Sequence, residues 1–124
     1  NDTTATTPEA TIAAIDALRS SGQNQNLILI LGGADKGLNM NALLLKLKEV
    51  KRIILLAGTG TSQVLEFIPS ASVFDDLGKA VTEAFASARE GDTILFSPAF
   101  ASFGMFKNEY DRGDQFNAIV RKLI

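Results

Sequence analysis

The stretch Leu27-Ile28-Leu29-Ile30-Leu31-Gly32-Gly33-Ala34-Asp35-Lys36-Gly37 decides how this sequence folds. Its first five residues form an uninterrupted apolar run, which is typical of a parallel β-strand covered by helices on both faces. The two glycines that follow allow a tight turn and place Lys36 just beyond the carboxyl end of the strand. In open α/β sheets, ligands bind at that end of the strands. An ordinary solvated turn explains the loop equally well at this point.

The rest of the chain repeats this alternation. Further apolar runs predict strands at 53–57, 71–74 and 93–96, of which the first is followed by a glycine turn and the second is a short strand at an edge of the sheet. Between the runs, apolar residues recur at the spacing of a helix face. The predicted faces are Ile12, Ile15 and Leu18; Met40, Leu43, Leu44 and Leu47; Val64, Leu65 and Ile68; Leu77, Ala80, Val81, Ala84, Phe85 and Ala88; and Phe116, Ile119, Val120 and Leu123. The order αβαβαβαβα predicts an α/β fold, a Rossmann-like, mostly parallel sheet covered by helices on both faces.

Polar residues mark where the predicted helices begin. Thr7 is placed to cap the first helix, Asp75 or Asp76 the fourth, and Asp114 the last. The segment 97–112 is then a loop, and it is long against the usual connection of about 2–6 residues. A long loop at a strand end is more often functional than a short one.

The composition limits the chemistry of the chain. With no cysteine and no histidine in 124 residues, it has no thiol nucleophile, no imidazole base and no ordinary zinc site, so we expect no metal ligands. A net charge of −2 gives no basic patch for nucleic acid. No apolar run approaches the roughly 20 residues of a membrane span, and no signal peptide opens the chain, which fits a cytoplasmic protein without membrane contact. Because Asn1 leads directly into patterned sequence, we expect a domain cut from a longer protein.

The short motifs have ordinary explanations. GxxxxGK[ST] occurs nowhere, so the chain has no phosphate loop of its own. The turn Gly58-Thr59-Gly60-Thr61 lacks the third glycine of a dinucleotide motif, and a turn into a helix explains it better. Asp75 and Asp76 have the chemistry of a metal pair, but helix capping explains both. Ser97 and Ser102 have no base nearby in the sequence, so they are expected to donate hydrogen bonds to a polar ligand and not to act as nucleophiles.

Two loops gain meaning together. If the strands at 27–31 and 93–96 are parallel, the loop that carries Lys36 and the loop 97–112 leave the same edge of the sheet. A lysine and hydroxyls at that edge suit a small carboxylate, since a hydrogen bond to a charged group contributes about 1.5–3 kcal/mol. The pattern therefore predicts a small-anion site between the two loops.

Three segments carry a more specific signal. They are Asn1-Asp2-Thr3-Thr4-Ala5-Thr6; Leu31-Gly32-Gly33-Ala34-Asp35-Lys36-Gly37; and Leu95-Phe96-Ser97-Pro98-Ala99-Phe100-Ala101-Ser102-Phe103 with Phe106-Lys107-Asn108 and Arg112-Gly113-Asp114-Gln115-Phe116. In this order they resemble the Mur ligase family, and within it the ligases that add D-glutamate. The resemblance implies that residues 1–124 are one domain, the C-terminal, amino-acid-binding domain, with the N-terminal and central ATPase domains absent from this sequence. It also implies packing on the central domain of the same chain.

The resemblance further implies a reaction. In the full-length enzyme, ATP and Mg²⁺, bound mainly by the central domain, would convert the carboxylate of UDP-MurNAc-L-alanine into an acyl phosphate. The amino group of D-glutamate would then displace phosphate to form an amide bond in a peptidoglycan precursor. This piece is expected to hold no cofactor and no catalytic residue, and to be inactive alone.

The resemblance also assigns site residues. The implied D-glutamate contacts are Thr6, Lys36 and Ser102, the implied substrate-loop residues are Lys107 and Asn108, and the nucleotide-facing residues are Asp2 and Thr4. The sequence departs from the family pattern where Thr4 replaces a lysine, Phe100 a cysteine and Glu109 an aromatic residue. Tyr110 is the aromatic side chain next to the last of these.

Two alternatives stay open at the level of sequence. One is a related Mur or folylpolyglutamate-type ligase domain with a different amino-acid specificity. The other is a non-enzymatic α/β module that binds a small anion, which the glycine loop and Lys36 would serve equally well.

Overall fold

The computed structural model describes residues 7–20, 26–33, 39–97 and 108–123. Within these ranges, helices and strands alternate along the chain. They are α1 (Pro8–Ser20), β1 (Leu27–Leu31), α2 (Asn41–Lys46) with a 3₁₀ turn (Leu47–Glu49), β2 (Arg52–Leu56), α3 (Thr61–Phe67), β3 (Ser72–Phe74), α4 (Leu77–Ser87), β4 (Thr93–Phe96) and α5 (Glu109–Leu123). The strands form one parallel sheet in the order β3-β2-β1-β4. The predicted α/β fold is confirmed, and so is the position of β3 at an edge.

Two apolar layers sandwich the sheet, and β1 contributes to both. Leu27, Leu29 and Leu31 pack into a core with α1, α2 and α3, whereas Ile28 and Ile30 pack into a second core with α4 and α5. All five side chains are fully buried. Successive residues of a strand point to opposite faces, so a strand covered on both sides must be apolar throughout.

Side-chain caps set the starts of two helices as predicted. Thr7 Oγ1 accepts a hydrogen bond from the backbone N–H of Ala10 at 3.3 Å. Asp76, and not Asp75, caps α4, since its Oδ1 accepts from the N–H of Gly78 at 3.2 Å.

The start of α5 differs from the prediction. The helix begins at Glu109, and Asn108 Oδ1 accepts from the N–H of Asp111 at 2.8 Å, so Asn108 is its capping residue. Asp114 lies inside the helix and is exposed, and the loop after β4 is correspondingly shorter than 97–112. The ring of Phe116 lies 4.7 Å from that of Phe96 and anchors α5 to the sheet. Arg112, one turn earlier, is also buried, so the inward face of the helix begins in its first turn.

The strand order locates the functional edge of the sheet. From β1 the chain moves outward to β2 and β3, then crosses back over the sheet to β4 on the other side of β1. The order of the strands therefore reverses between β1 and β4. Ligands of open α/β sheets bind outside the carboxyl ends of the strands at such a switch point.

Candidate functional site

The carboxyl ends of β1 and β4 form the two sides of this crevice. The strands are parallel neighbours with Ile30 paired to Phe96, and the N–H of Ser97 donates to the carbonyl of Ile30 at 3.2 Å. The loop that follows β1 and the loop that follows β4 therefore leave the same edge side by side. This confirms the geometric condition on which the predicted anion site depended.

On the β1 side, four glycines bring two loops into backbone contact, and we call this contact the glycine junction (Gly32, Gly33, Gly58 and Gly60). The N–H of Gly60 donates to the carbonyl of Gly33 at 2.8 Å. Gly32 and Gly33 have φ angles of 130° and 146°, which favour glycine. A Cβ on Gly58 would lie 2.3 Å from the carbonyl oxygen of Gly33. The junction thus fixes how the chain leaves β1 toward Lys36.

The turn Gly58-Thr59-Gly60-Thr61 has a structural role as one half of the glycine junction. Besides the bond from Gly60, the N–H of Thr61 donates to the carbonyl of Gly58 at 3.1 Å, and Thr61 Oγ1 donates to the carbonyl of Leu56. Amides that bond to protein oxygens are not presented to a phosphate group. The interpretation as a turn into a helix is therefore favoured over a nucleotide-binding motif.

On the β4 side, two hydroxyls join α1 to the sheet, and we call this contact the hydroxyl junction (Thr11 and Ser97). Thr11 Oγ1 donates to the carbonyl of Ser97 at 3.0 Å and lies 3.0 Å from Ser97 Oγ. Because a threonine hydroxyl carries a single proton, Ser97 must be the donor in the second bond when both are formed. Both residues are fully buried, so the Ser97 hydroxyl faces Thr11 in the interior and not solvent.

The structure brings together the flanks of the three predicted D-glutamate contacts. Thr6, Lys36, Ser102, Lys107, Asp2 and Thr4 lie outside the described residues, and their roles stay predictions. Thr7 lies one helical turn before Thr11, and Ser97 bonds to both Thr11 and β1. Gly33 ends the described part of the β1 loop at the same edge. Of the predicted site residues, Asn108 lies within the described ranges, where it is exposed and caps α5.

Sequence reasoning missed two buried polar residues near this edge. Thr11 shares the inward face of α1 with Ile15 and Leu18, at the spacing i, i+4 and i+7. Arg112, read as the end of a loop, lies in the first turn of α5 with its side chain 1% exposed, one turn before Phe116. A polar residue in phase with an apolar helix face is the signal that would have found both.

The cations at the opposite, amino edge of the sheet have other partners. Lys51 forms a 2.6 Å salt bridge with Asp92, and this hydrogen bond, followed by one from the N–H of Arg89, holds the pKa of Asp92 below its ordinary value. Arg52 lies 2.8 Å from Glu83. These contacts are intramolecular, so the cluster of cations around the start of β2 gives no case for an anion site.

The described ranges give no sign of two other kinds of site. Among them, no group of three or more His, Cys, Asp or Glu side chains is arranged to hold a metal ion. No helix in the same part of the chain has the length and apolar character to cross a membrane.

Comparison with known proteins finds a matching family model and similar ligase sequences. The family model of the Mur ligase glutamate ligase domain matches residues 1–100. A UDP-N-acetylmuramoylalanine–D-glutamate ligase of Borreliella afzelii is 41% identical over 99% of this chain, and one of Roseiflexus is 42% identical over 97%. This chain spans only 28% and 26% of the lengths of those two relatives.

A solved structure shares the fold. It is a domain of a protein from Haemophilus ducreyi, named as a UDP-N-acetylmuramate:L-alanyl-gamma-D-glutamyl-diaminopimelate ligase. The two superpose with a TM-score of 0.63 over 96% of this chain and 82% of that one, at 22% sequence identity. At this level of identity the likeness concerns the arrangement of strands and helices and not the ligand.

Proposed function

Because this chain belongs to the Mur ligase family as a glutamate ligase domain, we propose that it is the C-terminal, amino-acid-binding domain of an enzyme that adds D-glutamate to UDP-MurNAc-L-alanine. The observation that carries this proposal is the alignment of nearly the whole chain with two curated D-glutamate ligases at 41% and 42% identity. The crevice between β1 and β4 is the place in the described fold that such a ligand would occupy.

In this proposal the domain binds and orients D-glutamate. Lys36 receives a carboxylate through a charge-assisted hydrogen bond, and the hydroxyls of Thr6 and Ser102 donate to the same ligand. The α-amino group is left free to attack the activated acceptor, so the side chains of this domain position the nucleophile. The glycine and hydroxyl junctions support this role, because they hold the flanks of all three segments at one edge.

The activating chemistry belongs to the rest of the protein. Bound there with Mg²⁺, ATP would supply the phosphoryl group that makes the acceptor carboxylate reactive. We assign no nucleotide contact to the Gly58–Thr61 turn, because the N–H groups of Gly60 and Thr61 both bond to protein oxygens. In this proposal the enzyme uses UDP-MurNAc-L-alanine and ATP in the cytoplasm, as a step of peptidoglycan synthesis.

The test is an assay of the longest reading frame that contains this chain. Purified enzyme is given ATP, Mg²⁺ and UDP-MurNAc-L-alanine, and phosphate release is measured with D-glutamate, L-glutamate and meso-diaminopimelate in turn. Of the three amino acids, we expect only D-glutamate to give turnover. We expect no turnover from the 124-residue chain by itself. Equal use of another amino acid would support a related ligase of different specificity, and the absence of ATP-dependent turnover would support a non-enzymatic anion-binding module.

One substitution tests the assigned anchor. Lys36→Ala should raise the KM for D-glutamate by at least about tenfold, since it removes a hydrogen bond between charged groups. Lys79→Ala is the matched control, because Lys79 is an exposed lysine on α4. An unchanged KM in the Lys36 variant would show that Lys36 does not anchor D-glutamate. The proposed reaction would still stand.

A further inference from the structure

The hydroxyl junction does more than tie a helix to the sheet. We propose that Thr11 and Ser97 are positioning residues for the D-glutamate site, which fix the first turn of α1 against the carboxyl end of β4. The inference rests on the proposed function, since it names residues that act on that same site. Neither residue is assigned a contact with substrate.

The geometry of the pair supports a directional role. Two hydrogen bonds of 3.0 Å join residues 86 positions apart in the sequence, and both partners are fully buried. Elsewhere α1 is held by apolar contacts, such as those of Ile15 with the core, and by a 2.5 Å salt bridge from Asp16 to Lys46, which ties it to α2 and not to β4. Apolar packing is non-directional and tolerates small sliding movements, whereas hydrogen bonds weaken steeply as their angle and length change. The hydroxyl pair therefore sets the register of α1 relative to β4.

The place of the pair in the chain gives that register a functional meaning. Thr11 follows the predicted contact Thr6 by five residues, and Ser97 precedes the predicted contact Ser102 by five. Ser97 also donates through its N–H to Ile30 of β1, the strand that leads to Lys36. One residue thus connects the three segments that the proposed site requires. A displacement of about 1 Å at this point is enough to weaken a bound ligand's contacts substantially.

The experiment measures steady-state kinetics of the full-length enzyme with four variants. Thr11→Val keeps the shape of the side chain but removes its hydroxyl. Ser97→Ala removes the bond between the two hydroxyls and keeps the bond from Thr11 to the Ser97 carbonyl. Thr11→Ser restores the hydroxyl. Thr82→Val is the matched control, because Thr82 makes a 2.7 Å hydroxyl-to-carbonyl bond on the exposed face of α4.

We expect the KM for D-glutamate to rise about tenfold in Thr11→Val and less in Ser97→Ala, with the KM for ATP unchanged within about twofold. Thr11→Ser should return the KM to within about twofold of the wild type, and Thr82→Val should match it. An equal rise of both KM values, or no recovery in Thr11→Ser, would overturn the positioning role, because either result describes a general loss of structure.

Hydrogen exchange of the full-length enzyme separates this inference from the proposed function. Thr11→Val should speed amide exchange in α1 and β4 while leaving β2 protected. If the wild-type enzyme ignores D-glutamate, the proposed function fails regardless of the exchange data. If the exchange of α1 and β4 is the same in the variant and in the wild type, the positioning inference fails even though D-glutamate is the substrate.

Discussion

The two sides of the crevice are held by contacts of different kinds. On the β1 side, the glycine junction joins backbone to backbone, and no side chain fits between Gly58 and Gly33. On the β4 side, the hydroxyl junction joins the side chain of Thr11 to both the side chain and the backbone carbonyl of Ser97. The comparison shows two ways to fix a loop at a strand end, one by excluding side chains and one by satisfying buried polar groups.

The two kinds of contact should fail differently. A backbone contact cannot be weakened by degrees, because any added Cβ at a distance below 3 Å forces the chain itself to move. A hydroxyl contact can be weakened in steps, since threonine can be changed to serine or valine with little change in volume. The largest effects are therefore expected on the glycine side, and the most graded ones on the hydroxyl side.

Gly58→Ala should have the largest effect. Its Cβ would meet the oxygen, carbonyl carbon and Cα of Gly33 at 2.3, 2.5 and 2.8 Å, all of them backbone atoms. We expect a loss of about 3 kcal/mol in the free energy of unfolding, measured by urea denaturation of the chain. Gly91→Ala is the control: Gly91 has a φ of 91° but no atom within 4 Å of its Cβ position, so only the backbone cost of about 1 kcal/mol applies. Equal losses in the two variants would show that the close approach at Gly58 contributes nothing.

Thr11→Val should be second. It leaves the buried carbonyl and hydroxyl of Ser97 without their bonds to Thr11, and a lost buried hydrogen bond costs about 1–3 kcal/mol. We expect about 2 kcal/mol by the same denaturation measurement, with an unchanged m-value. Thr11→Ser should lose less than about 1 kcal/mol, because only a methyl group is removed. If serine were as destabilising as valine, packing of the methyl group and not hydrogen bonding would hold α1.

Asp76→Ala tests whether any weakening at the carboxyl edge disturbs the site. Asp76 caps α4 just after β3, and β2 separates β3 from β1 in the sheet. Loss of a cap of this kind costs about 1 kcal/mol. We expect that loss in the free energy of unfolding together with an unchanged KM for D-glutamate in the full-length enzyme. A raised KM would mean that the site responds to stability in general and not to the two junctions.

The sequence was most informative where the signal was local. The apolar run of β1 predicted a strand covered on both faces, and all five residues are fully buried. The start of α5 was predicted wrongly, because Gly113 and Asp114 are read locally as a break. A glycine inside a helix costs only about 1 kcal/mol, and the buried face of α5 continues through it from Arg112 to Phe116.

The junctions illustrate what a sequence pattern does not give. Gly32 and Gly58 are conspicuous as turn residues, but nothing local indicates that the two turns touch. Thr11 and Ser97 are separated by 86 positions, and their contact depends on the reversal of strand order between β1 and β4. Pairings of this kind are products of the whole topology. The assigned D-glutamate contacts Thr6, Lys36 and Ser102 came from family resemblance and stay predictions.

Asp92→Asn should have the smallest effect. It tests the amino edge of the sheet, which is opposite the edge that carries the two junctions. The Lys51 salt bridge keeps the pKa of Asp92 below the ordinary value of 3.8, so the carboxylate stabilises the fold above that pH and loses its contribution as the pH falls through the lowered pKa. The difference in unfolding free energy between wild type and variant should therefore be largest near neutral pH and shrink below about pH 4. Asp75→Asn is the control for the loss of a carboxylate, because Asp75 is 85% exposed and lies 4.0 Å from Lys79, so its removal should change the free energy of unfolding little. A difference that persists or grows in acid would show that the Lys51–Asp92 ion pair is not its cause.

An unchanged KM for D-glutamate in Asp92→Asn would separate the two edges of the sheet, since the salt bridge at the start of β2 would then affect stability alone.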